Sequence, residues 1–399
     1  MDSLRHVLFF TILMAMLICA AFLVLRHFSA SYIFLIPFAW VPIITRVFYD
    51  SRTAIFIHII TVFIVSIAAP APYVFILLQV ITGIVAVISL RDMTQRAQLA
   101  QTALFTFLMY SVVYTASTLL VTGSIANVEY NYYIYFAVNA VLVICAYGLI
   151  FLFERTFGLV SNITLVELTN VNSNLMLEFA EKAPGTFQHS LQVSNLATEA
   201  AKRIGAKVLL VRTGALYHDI GKMAHPEYFI ENQIGNNPLQ SMPYAEAAKV
   251  IIEHVSDGER IARKHHLPEV IIHFIKSHHG TSVTRYFYNS AVNQAKEQGK
   301  TAQDVRKEDY AYPGPKPHSK EAAILMMADA IEARSRTLNE LTEQSISAMV
   351  DQMIDAQVAD GQFAETKLSF KDLEDIRGIF KQKLIEINHH RITYPTITQ

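Results

Sequence analysis

The chain opens with a series of long apolar runs that are separated by short polar segments. Six runs lie within the first 154 residues, at about 7–25, 32–48, 53–69, 73–90, 102–121 and 133–153. About 20 apolar residues in a helix span the roughly 30 Å hydrocarbon core of a bilayer. No small-residue cleavage pattern follows the first run, which excludes a signal peptide. The pattern therefore predicts a transmembrane bundle over residues 1–154 with about six spans.

Beyond residue 154 the apolar positions recur at helical spacing. Residues 155–183 are predicted to form a connector helix, which the Ala183-Pro184-Gly185 sequence ends. One interpretation is an ordinary amphipathic packing helix. The other is a helical rod that transmits conformational changes from the membrane part to the next domain, and this rod could pair with a second copy as a dimer. Residues 184–399 contain no alternating strand pattern and predict an all-α domain. The fold class is thus all-α throughout.

Charge separates the two parts of the chain. Eleven of the first 154 residues are charged, against 56 of the remaining 245, while the net charge of the whole chain is −1. No global basic field favours binding to a DNA or RNA polymer. Positive residues favour the cytoplasmic side of a membrane, so their alternation predicts that both termini and the second domain are cytoplasmic. The arginines on the cytoplasmic side are Arg5, Arg46, Arg52, Arg91, Arg96 and Arg155, with Arg26 alone on the other.

Polar or helix-bending residues interrupt some of the apolar runs. His58 lies in the middle of the third run and is either a functional site or a group bonded to a neighbouring helix. Pro37 and Pro42 are expected to kink the second run. Cys19 and Cys145 are interpreted as small apolar residues, because two distant thiols do not form a disulfide framework.

Metal-seeking side chains recur on the apolar helices of the second domain. One histidine of this kind is usually an ordinary core residue, and an adjacent His-Asp pair is weak by itself. Burying such groups is costly unless something pairs them, and a shared metal centre would do so. Seven ligands suit two ions with Asp219 as the bridge, and imidazole with carboxylate suits Mn or Fe, with Zn or Ni left open. The seven candidates are His189, His218, Asp219, His254, His278, His279 and Asp329.

Other histidines are interpreted as surface residues near helix ends. They are His225, His265, His266, His273, His318, His389 and His390.

Four motifs carry a family resemblance. They are PGTFQHSLQVSNLA (184–197), HDIGKMAHPEYFIENQ (218–233), SHHGT (277–281) and YPGPKPHSKEAAILMMADAIEARSR (312–336). Together they resemble the membrane-bound seven-transmembrane HD phosphohydrolase family, whose known members include cyclic di-AMP phosphodiesterases. The resemblance implies that the seven residues hold two metal ions, which activate a hydroxide that hydrolyses cyclic di-AMP to pApA. It also implies a location in the bacterial cytoplasmic membrane.

The chain departs from the family pattern in two respects. The family has an extracellular domain and seven membrane helices, whereas no such domain and six runs are found here. The sequence is therefore expected to be a truncated product or to start one helix into the bundle. The HHExxDGxGYP motif of relatives that cleave cyclic di-GMP is missing, since His279 is followed by Gly280-Thr281. The missing motif makes cyclic di-GMP a less favoured substrate than cyclic di-AMP.

Further residues are candidates for catalysis and substrate binding. Lys222 either donates to a phosphate oxygen, holds Asp219, or faces solvent at a helix end. Tyr286 and Tyr312 are candidates for stacking on adenine, as are Phe287, Tyr288 and Tyr310, or else these rings anchor a loop onto the core. Arg334 is a candidate for phosphate binding, with Arg336 as a weaker one. Two other functions stay open: an HD enzyme acting on another cyclic or linear nucleotide, and a non-catalytic nucleotide receptor.

Overall fold

The computed structural model describes residues 2–90, 93–233, 235, 237–338, 340 and 342–388. Arg91 and the His389-His390 pair, for which predictions were made, lie outside these residues. The described part of the chain contains helices and no strand, apart from an isolated bridge between Val283 and Ala311. The prediction of an all-α fold is confirmed. The α-helices are α1 Asp2–His27, α2 Trp40–Phe48, α3 Ser51–Ser66, α4 Pro72–Ser89, α5 Ala97–Thr122, α6 Asn131–Phe157, α7 Asn162–Leu168, α8 Asn174–Lys182, α9 Pro184–Ile204, α10 Val208–Tyr217, α11 Tyr244–Ile252, α12 His254–Lys264, α13 Glu269–Ser277, α14 Arg285–Glu297, α15 Lys320–Ser335, α16 Glu343–Ala359 and α17 Phe370–Asn388.

The helices form two compact units, which meet in sequence between Thr164 and Leu165. Five of the six apolar runs of the first unit each form one α-helix, and the second run is divided between a 3₁₀ turn and α2. By length and composition, five helical segments within the described residues are sufficient to cross a membrane: Leu4–His27, Ala30–Phe48, Pro72–Ser89, Ala97–Thr122 and Asn131–Phe157. The third run forms α3, which at 16 residues is shorter than these five.

The second apolar run is broken, where the sequence predicts only a kink. A 3₁₀ turn over Ala30–Leu35 precedes α2, because Pro37 has no N–H and disfavours a helix before it. The break leaves two backbone carbonyls without a helical partner. The side-chain amide of Asn139 on α6 donates to both, at 3.2 Å from Phe34 O and 2.9 Å from Ile36 O. A side chain on another helix thus satisfies the broken backbone.

His58 is buried and bonded to a neighbouring helix. Its Nε2 lies 2.9 Å from the backbone carbonyl oxygen of Gln79 on α4. Gly83 leaves room for the ring, since a Cβ there would lie 2.1 Å from Nε2. Of the two interpretations of His58, the hydrogen-bonded one describes the contact that is seen.

The predicted single connector helix over 155–183 is not continuous. The helix α6 ends at Gly158, whose φ of 65° is left-handed. The short helix α7 follows, and a polar turn then separates it from α8. In this turn Asn170 Oδ1 accepts from the N–H of Asn172 at 3.0 Å, an alternative to helical pairing.

The second unit is built around α9, which packs against α10, α15 and α17. Pro184 occupies its first turn and Gly205 ends it in a left-handed conformation. A single helix was predicted from about Tyr244 to His265, but the structure divides it at Glu253 into α11 and α12. The segment 290–309, predicted to be mobile or a surface helix, continues α14 to Glu297 before shorter 3₁₀ turns.

Candidate metal centre

The seven predicted ligands come together, although they belong to five different parts of the sequence. Helix α9 supplies His189, the end of α10 supplies His218 and Asp219, and α12 begins with His254. The end of α13 supplies His278 and His279, and α15 supplies Asp329. All are buried except His279, whose side chain is 25% exposed.

The ligand atoms form two groups that share one residue. The first group, the His189 group, consists of His189, His218, Asp219 and Asp329. The second group, the His254 group, consists of Asp219, His254, His278 and His279. Within each group the ligand atoms lie within 4.8 Å of one another.

The two oxygens of Asp219 face different groups. Oδ2 lies 3.2 Å from Nε2 of His218, whereas Oδ1 lies 3.4 Å from Nε2 of His254 and 3.5 Å from Nε2 of His278. Asp219 therefore has one oxygen on the side of each group.

In three of the histidines, the hydrogen bond at Nδ1, the ring nitrogen that points away from the cluster, determines which nitrogen carries a proton. Nδ1 lies 2.7 Å from a backbone carbonyl in His218, 2.6 Å in His254 and 2.7 Å in His278. A carbonyl only accepts, so each Nδ1 carries a proton and each ring turns its Nε2 toward the cluster.

These Nε2 atoms lie close to one another and to Asp219. Nε2 of His254 and Nε2 of His278 are 3.2 Å apart, while Nε2 of His218 and Oδ1 of Asp219 are buried without a hydrogen-bond partner. Lone pairs at such distances repel unless positive charge lies among them, which either protons or a metal ion supply. The residues therefore fit divalent metal ions, which imidazole and carboxylate donors bind.

Neighbouring charges oppose the effect of burial on the pKa values of the cluster. Burial alone would raise the pKa of Asp219, but Lys222 and His218 hold that pKa well below its usual range. Burial would lower the pKa of His218, but the Asp219 carboxylate raises it to about 10. In the absence of a metal, His218 thus takes up a proton. Burial lowers the pKa of His254 to about 4 against the opposing effect of Asp219, so this ring stays neutral.

Lys222 lies against Asp219. After α10 the chain enters a 3₁₀ turn over Ile220–Met223, which places Lys222 Nζ 2.8 Å from Asp219 Oδ2 and 2.9 Å from Glu231 Oε1. Its side chain is 13% exposed, so the solvent-facing interpretation of Lys222 is wrong. Thr186 donates to the same Glu231 oxygen at 3.0 Å. Glu231 was missed by the sequence reasoning, since an acid in a polar loop carries no distinctive signal.

A cavity of ≈ 550 Å³ borders the cluster, within the range of ligand-binding pockets. His278, His279 and Asp329 contribute to its wall on the side of the cluster. Arg334 also contributes to the wall, and its guanidinium donates to Thr337 Oγ1 at 3.0 Å. Arg334 therefore lies on the wall of the cavity that borders the cluster, and its phosphate-binding role stays a prediction.

The aromatic residues considered for stacking on adenine occupy different environments in the structure. Tyr286 is 74% exposed on α14 and is not among the residues that line the cavity. Tyr312 is buried with its ring 4.2 Å from that of His279, so it packs on a candidate ligand. Phe287, Tyr288 and Tyr310 pack together with Ala248 and Ala291, as expected for rings that anchor a loop. A stacking role for Tyr286 or Tyr312 stays a prediction.

Arg336 and Glu332 form a further pair at the cluster. Two guanidinium nitrogens of Arg336 donate to Glu332 Oε1, so Arg336 is engaged by a carboxylate. Glu332 itself was not among the sequence candidates. It lies three residues after Asp329 on α15, and this spacing on one helix face was the signal that could have found it.

Fold and cluster together define an all-helical HD-type domain that follows a bundle of apolar helices in the sequence. Residues 2–161 match the family model for a 7TM receptor with intracellular HD hydrolase, and residues 186–334 match the model for the HD domain. The chain belongs to this family of membrane proteins with an HD hydrolase domain.

Characterised relatives cover most of this chain. It is 36% identical over 379 residues to the cyclic-di-AMP phosphodiesterase PgpH of Listeria monocytogenes, and 34% identical over 378 residues to PgpH of Bacillus subtilis. Each alignment covers 92% of this chain, which spans 51% and 52% of the respective relatives and so about half their length. The crystal structure of the Listeria PgpH HD domain in complex with cyclic-di-AMP is 40% identical, with a TM-score of 0.51, and covers 56% of this chain and 100% of that one.

Proposed function

We propose that this protein is a membrane-anchored, metal-dependent phosphodiesterase that hydrolyses cyclic di-AMP to pApA. The observation that carries the proposal is Asp219, which presents one oxygen to each of two buried His/Asp groups. The similarity to proteins named cyclic-di-AMP phosphodiesterase supports the choice of substrate, as does the similar HD domain that was crystallised with cyclic-di-AMP.

The residues of this chain would hold two divalent ions, Mn or Fe, one in each group. Bound ions would supply Lewis acidity, which lowers the pKa of water and neutralises phosphate charge. Asp219 sets the distance between the two groups because its oxygens belong to one rigid carboxylate. Lys222 fixes the orientation of that carboxylate through a contact of 2.8 Å. Of its two remaining interpretations, the contacts favour the one in which Lys222 holds Asp219.

The cavity provides the binding surface for the dinucleotide. Its wall combines the candidate ligands His278, His279 and Asp329 with the cation of Arg334. A phosphate near the ligands is then within reach of a positive side chain, while the rest of the cavity is available for the nucleosides. Asn289, Gln352 and Gln357 supply polar groups there that hydrogen-bond with bases.

The same proposal places the catalytic unit on the cytoplasmic side of the membrane. The alternation of arginines along the first unit supports this orientation. Labelling single introduced cysteines in intact cells with a membrane-impermeant reagent tests it. Labelling of a cysteine in the 122–132 loop but not of one near residue 300 is expected, in a background without Cys19 and Cys145. The reverse pattern contradicts the orientation. A homodimer through the segment 155–183 stays a prediction, which light scattering of the purified protein tests.

Activity is tested with the purified full chain in detergent and Mn²⁺, using cyclic di-AMP, cyclic di-GMP, linear dinucleotides and nucleoside phosphates. Mass spectrometry should identify pApA from cyclic di-AMP. Asp219→Ala should lose turnover and at least one bound metal ion per chain, because the shared ligand is gone. Asp351→Asn is the matched control, since Asp351 pairs with Lys381 on α17, outside the cluster.

The outcomes separate the competing functions. Full turnover in Asp219→Ala contradicts the metal centre. Preferred hydrolysis of another nucleotide favours an HD enzyme with a different substrate. Tight binding of cyclic di-AMP with no product after long incubation with Mn²⁺ or Fe²⁺ favours a receptor.

A further inference from the structure

The candidate ligand histidines differ in what holds their outer nitrogen. In His218, His254 and His278 this nitrogen donates to a neutral backbone carbonyl one turn earlier. In His189, Nδ1 lies 2.5 Å from Oε2 of Glu332 instead. His189 is therefore distinguished from these three by a carboxylate behind the ring.

Glu332 is built into this position. Its side chain is 5% exposed and lies one helical turn after Asp329 on α15. Oε1 accepts from Arg336 Nε at 2.7 Å and from Nη2 at 2.5 Å, while Oε2 faces His189. A buried carboxylate needs such a partner to remain charged. Arg336, Glu332 and His189 thus form a chain of contacts that leads from half-exposed surface to the cluster.

The chain of contacts has a chemical consequence at the other nitrogen. A carboxylate only accepts, so Glu332 Oε2 keeps the Nδ1 proton of His189 on its own side and leaves Nε2 facing the cluster. There Nε2 lies 2.9 Å from Oδ1 of Asp329, to which it donates when no metal is bound. A bound cation would take the place of that Nε2 proton. A carboxylate behind a ligand imidazole also makes that imidazole a stronger base toward metal.

The two groups also differ in charge. The His189 group contains the carboxylates of Asp219 and Asp329, with Glu332 directly behind it. The His254 group contains only Asp219, which it shares, together with three imidazoles. His279 in that group is also the most exposed of the seven candidates. The His189 group thus has one carboxylate more than the His254 group, while Lys222 Nζ lies 2.8 Å from Asp219 Oδ2, the oxygen that faces the His189 group. A divalent ion there would meet the additional carboxylate of Asp329 and a histidine that Glu332 orients.

We propose that Glu332 is a positioning residue that makes the His189 group the tighter of two unequal metal positions. The inference rests on the proposed metal-dependent function, and it adds which position holds its ion more strongly and why. Glu332 acts through His189 and does not itself ligate the ion.

The test is a Mn²⁺ titration of the metal-free full chain in detergent, with a chromophoric chelator as competitor. The unsubstituted chain should bind two ions per chain with distinct affinities. Glu332→Gln keeps the shape of the side chain but removes its charge. It should weaken the tighter class by about 10–100-fold and leave the weaker class unchanged. Arg336→Gln should shift the same class in the same direction, by less. Asp351→Asn should change neither class.

The possible results are distinguishable. Wild-type affinity in both classes for Glu332→Gln overturns the inference, as does a loss confined to the weaker class. If Glu332→Gln does not fold, as judged by circular dichroism, Arg336→Gln decides by the same criterion. If the unsubstituted chain binds no Mn²⁺ or Fe²⁺, the proposed function fails and the inference fails with it. Two classes in the unsubstituted chain with no effect of either substitution leave the function intact and refute only the role of Glu332.

Discussion

Substituting Gly221 with alanine should displace His254 and disable the metal centre. Gly221 lies in the 3₁₀ turn after Asp219, where it touches the backbone at the start of α12. A Cβ at this position would lie 1.8 Å from the carbonyl oxygen of His254 and 2.5 Å from the amide nitrogen of Gly258. Real Cβ contacts are essentially never shorter than 3.0 Å, and both neighbours are backbone atoms that cannot rotate away. The turn and α12 must therefore separate by about 1 Å.

A separation of about 1 Å is large compared with the geometry of the cluster. His254 Nε2 lies 3.4 Å from Asp219 Oδ1 and 3.2 Å from His278 Nε2. Misplacement of a reacting group by about 1 Å can cost about 100-fold in rate. Overpacking of this kind typically destabilises a protein by about 1–3 kcal/mol. We expect turnover to fall by about 100-fold and the His254 group to lose its ion, in a chain that still folds.

The assay combines turnover of cyclic di-AMP, Mn²⁺ content after dialysis, and thermal unfolding. The matched control is Gly378→Ala on the exposed face of α17, where a Cβ meets nothing within 4 Å. This control should keep its activity and gain about 0.4–1 kcal/mol of stability. Turnover within about twofold of the unsubstituted chain, or retention of both Mn²⁺ ions per chain, in Gly221→Ala would refute the reasoning.

Two further predictions concern the charges of the centre. Lys222→Met removes the cation between Asp219 and Glu231, so the free energy of unfolding of the metal-free chain should fall by about 3–5 kcal/mol. Adding Glu231→Gln to this variant should recover part of the loss. An unfolding midpoint in EDTA that Lys222→Met leaves unchanged contradicts the prediction. Mn²⁺ must displace the proton from His218, whose pKa Asp219 raises to about 10 against the effect of burial. Mn²⁺ affinity should therefore increase as the pH rises from about 6 to 9, by up to about tenfold per pH unit. Chelator competition at each pH measures it, and a flat profile contradicts the assigned protonation.

The cluster could be anticipated because its residues conflict with their surroundings. His189, His218 and Asp329 lie on helices that are otherwise apolar, and burying polar groups there is costly unless they are paired. The sequence also reveals the apolar runs directly, since their length corresponds to the thickness of a bilayer. Patterns that extend over many residues were therefore sufficient for most of the helices, whereas the candidate ligands were singled out by their joint order along the chain and by the four motifs.

Features that depend on a single residue or on a tertiary contact could not be predicted from the sequence. The division at Glu253 leaves the helical periodicity intact, so no change in composition marks it. Glu332 resembles an ordinary exposed helix acid until the fold places His189 beside it. The exposed position of Tyr286 depends in the same way on the direction of α14. Such features are decided by neighbours distant in the chain.

The contact between Asn139 and the break before α2 constrains how the membrane unit can change shape. One amide donates to the carbonyls of Phe34 and Ile36, and the carbonyl of Ile36 also accepts from the N–H of Phe38 at 2.9 Å. An uncovered carbonyl in hydrocarbon costs several kcal/mol. A displacement of α6 along or about its axis that carried Asn139 away would remove the side-chain donor from both carbonyls and leave Ile36 with its backbone partner alone. When this unit changes conformation, α6 and the segment before α2 are therefore expected to move together, and bending is expected at other positions in the unit.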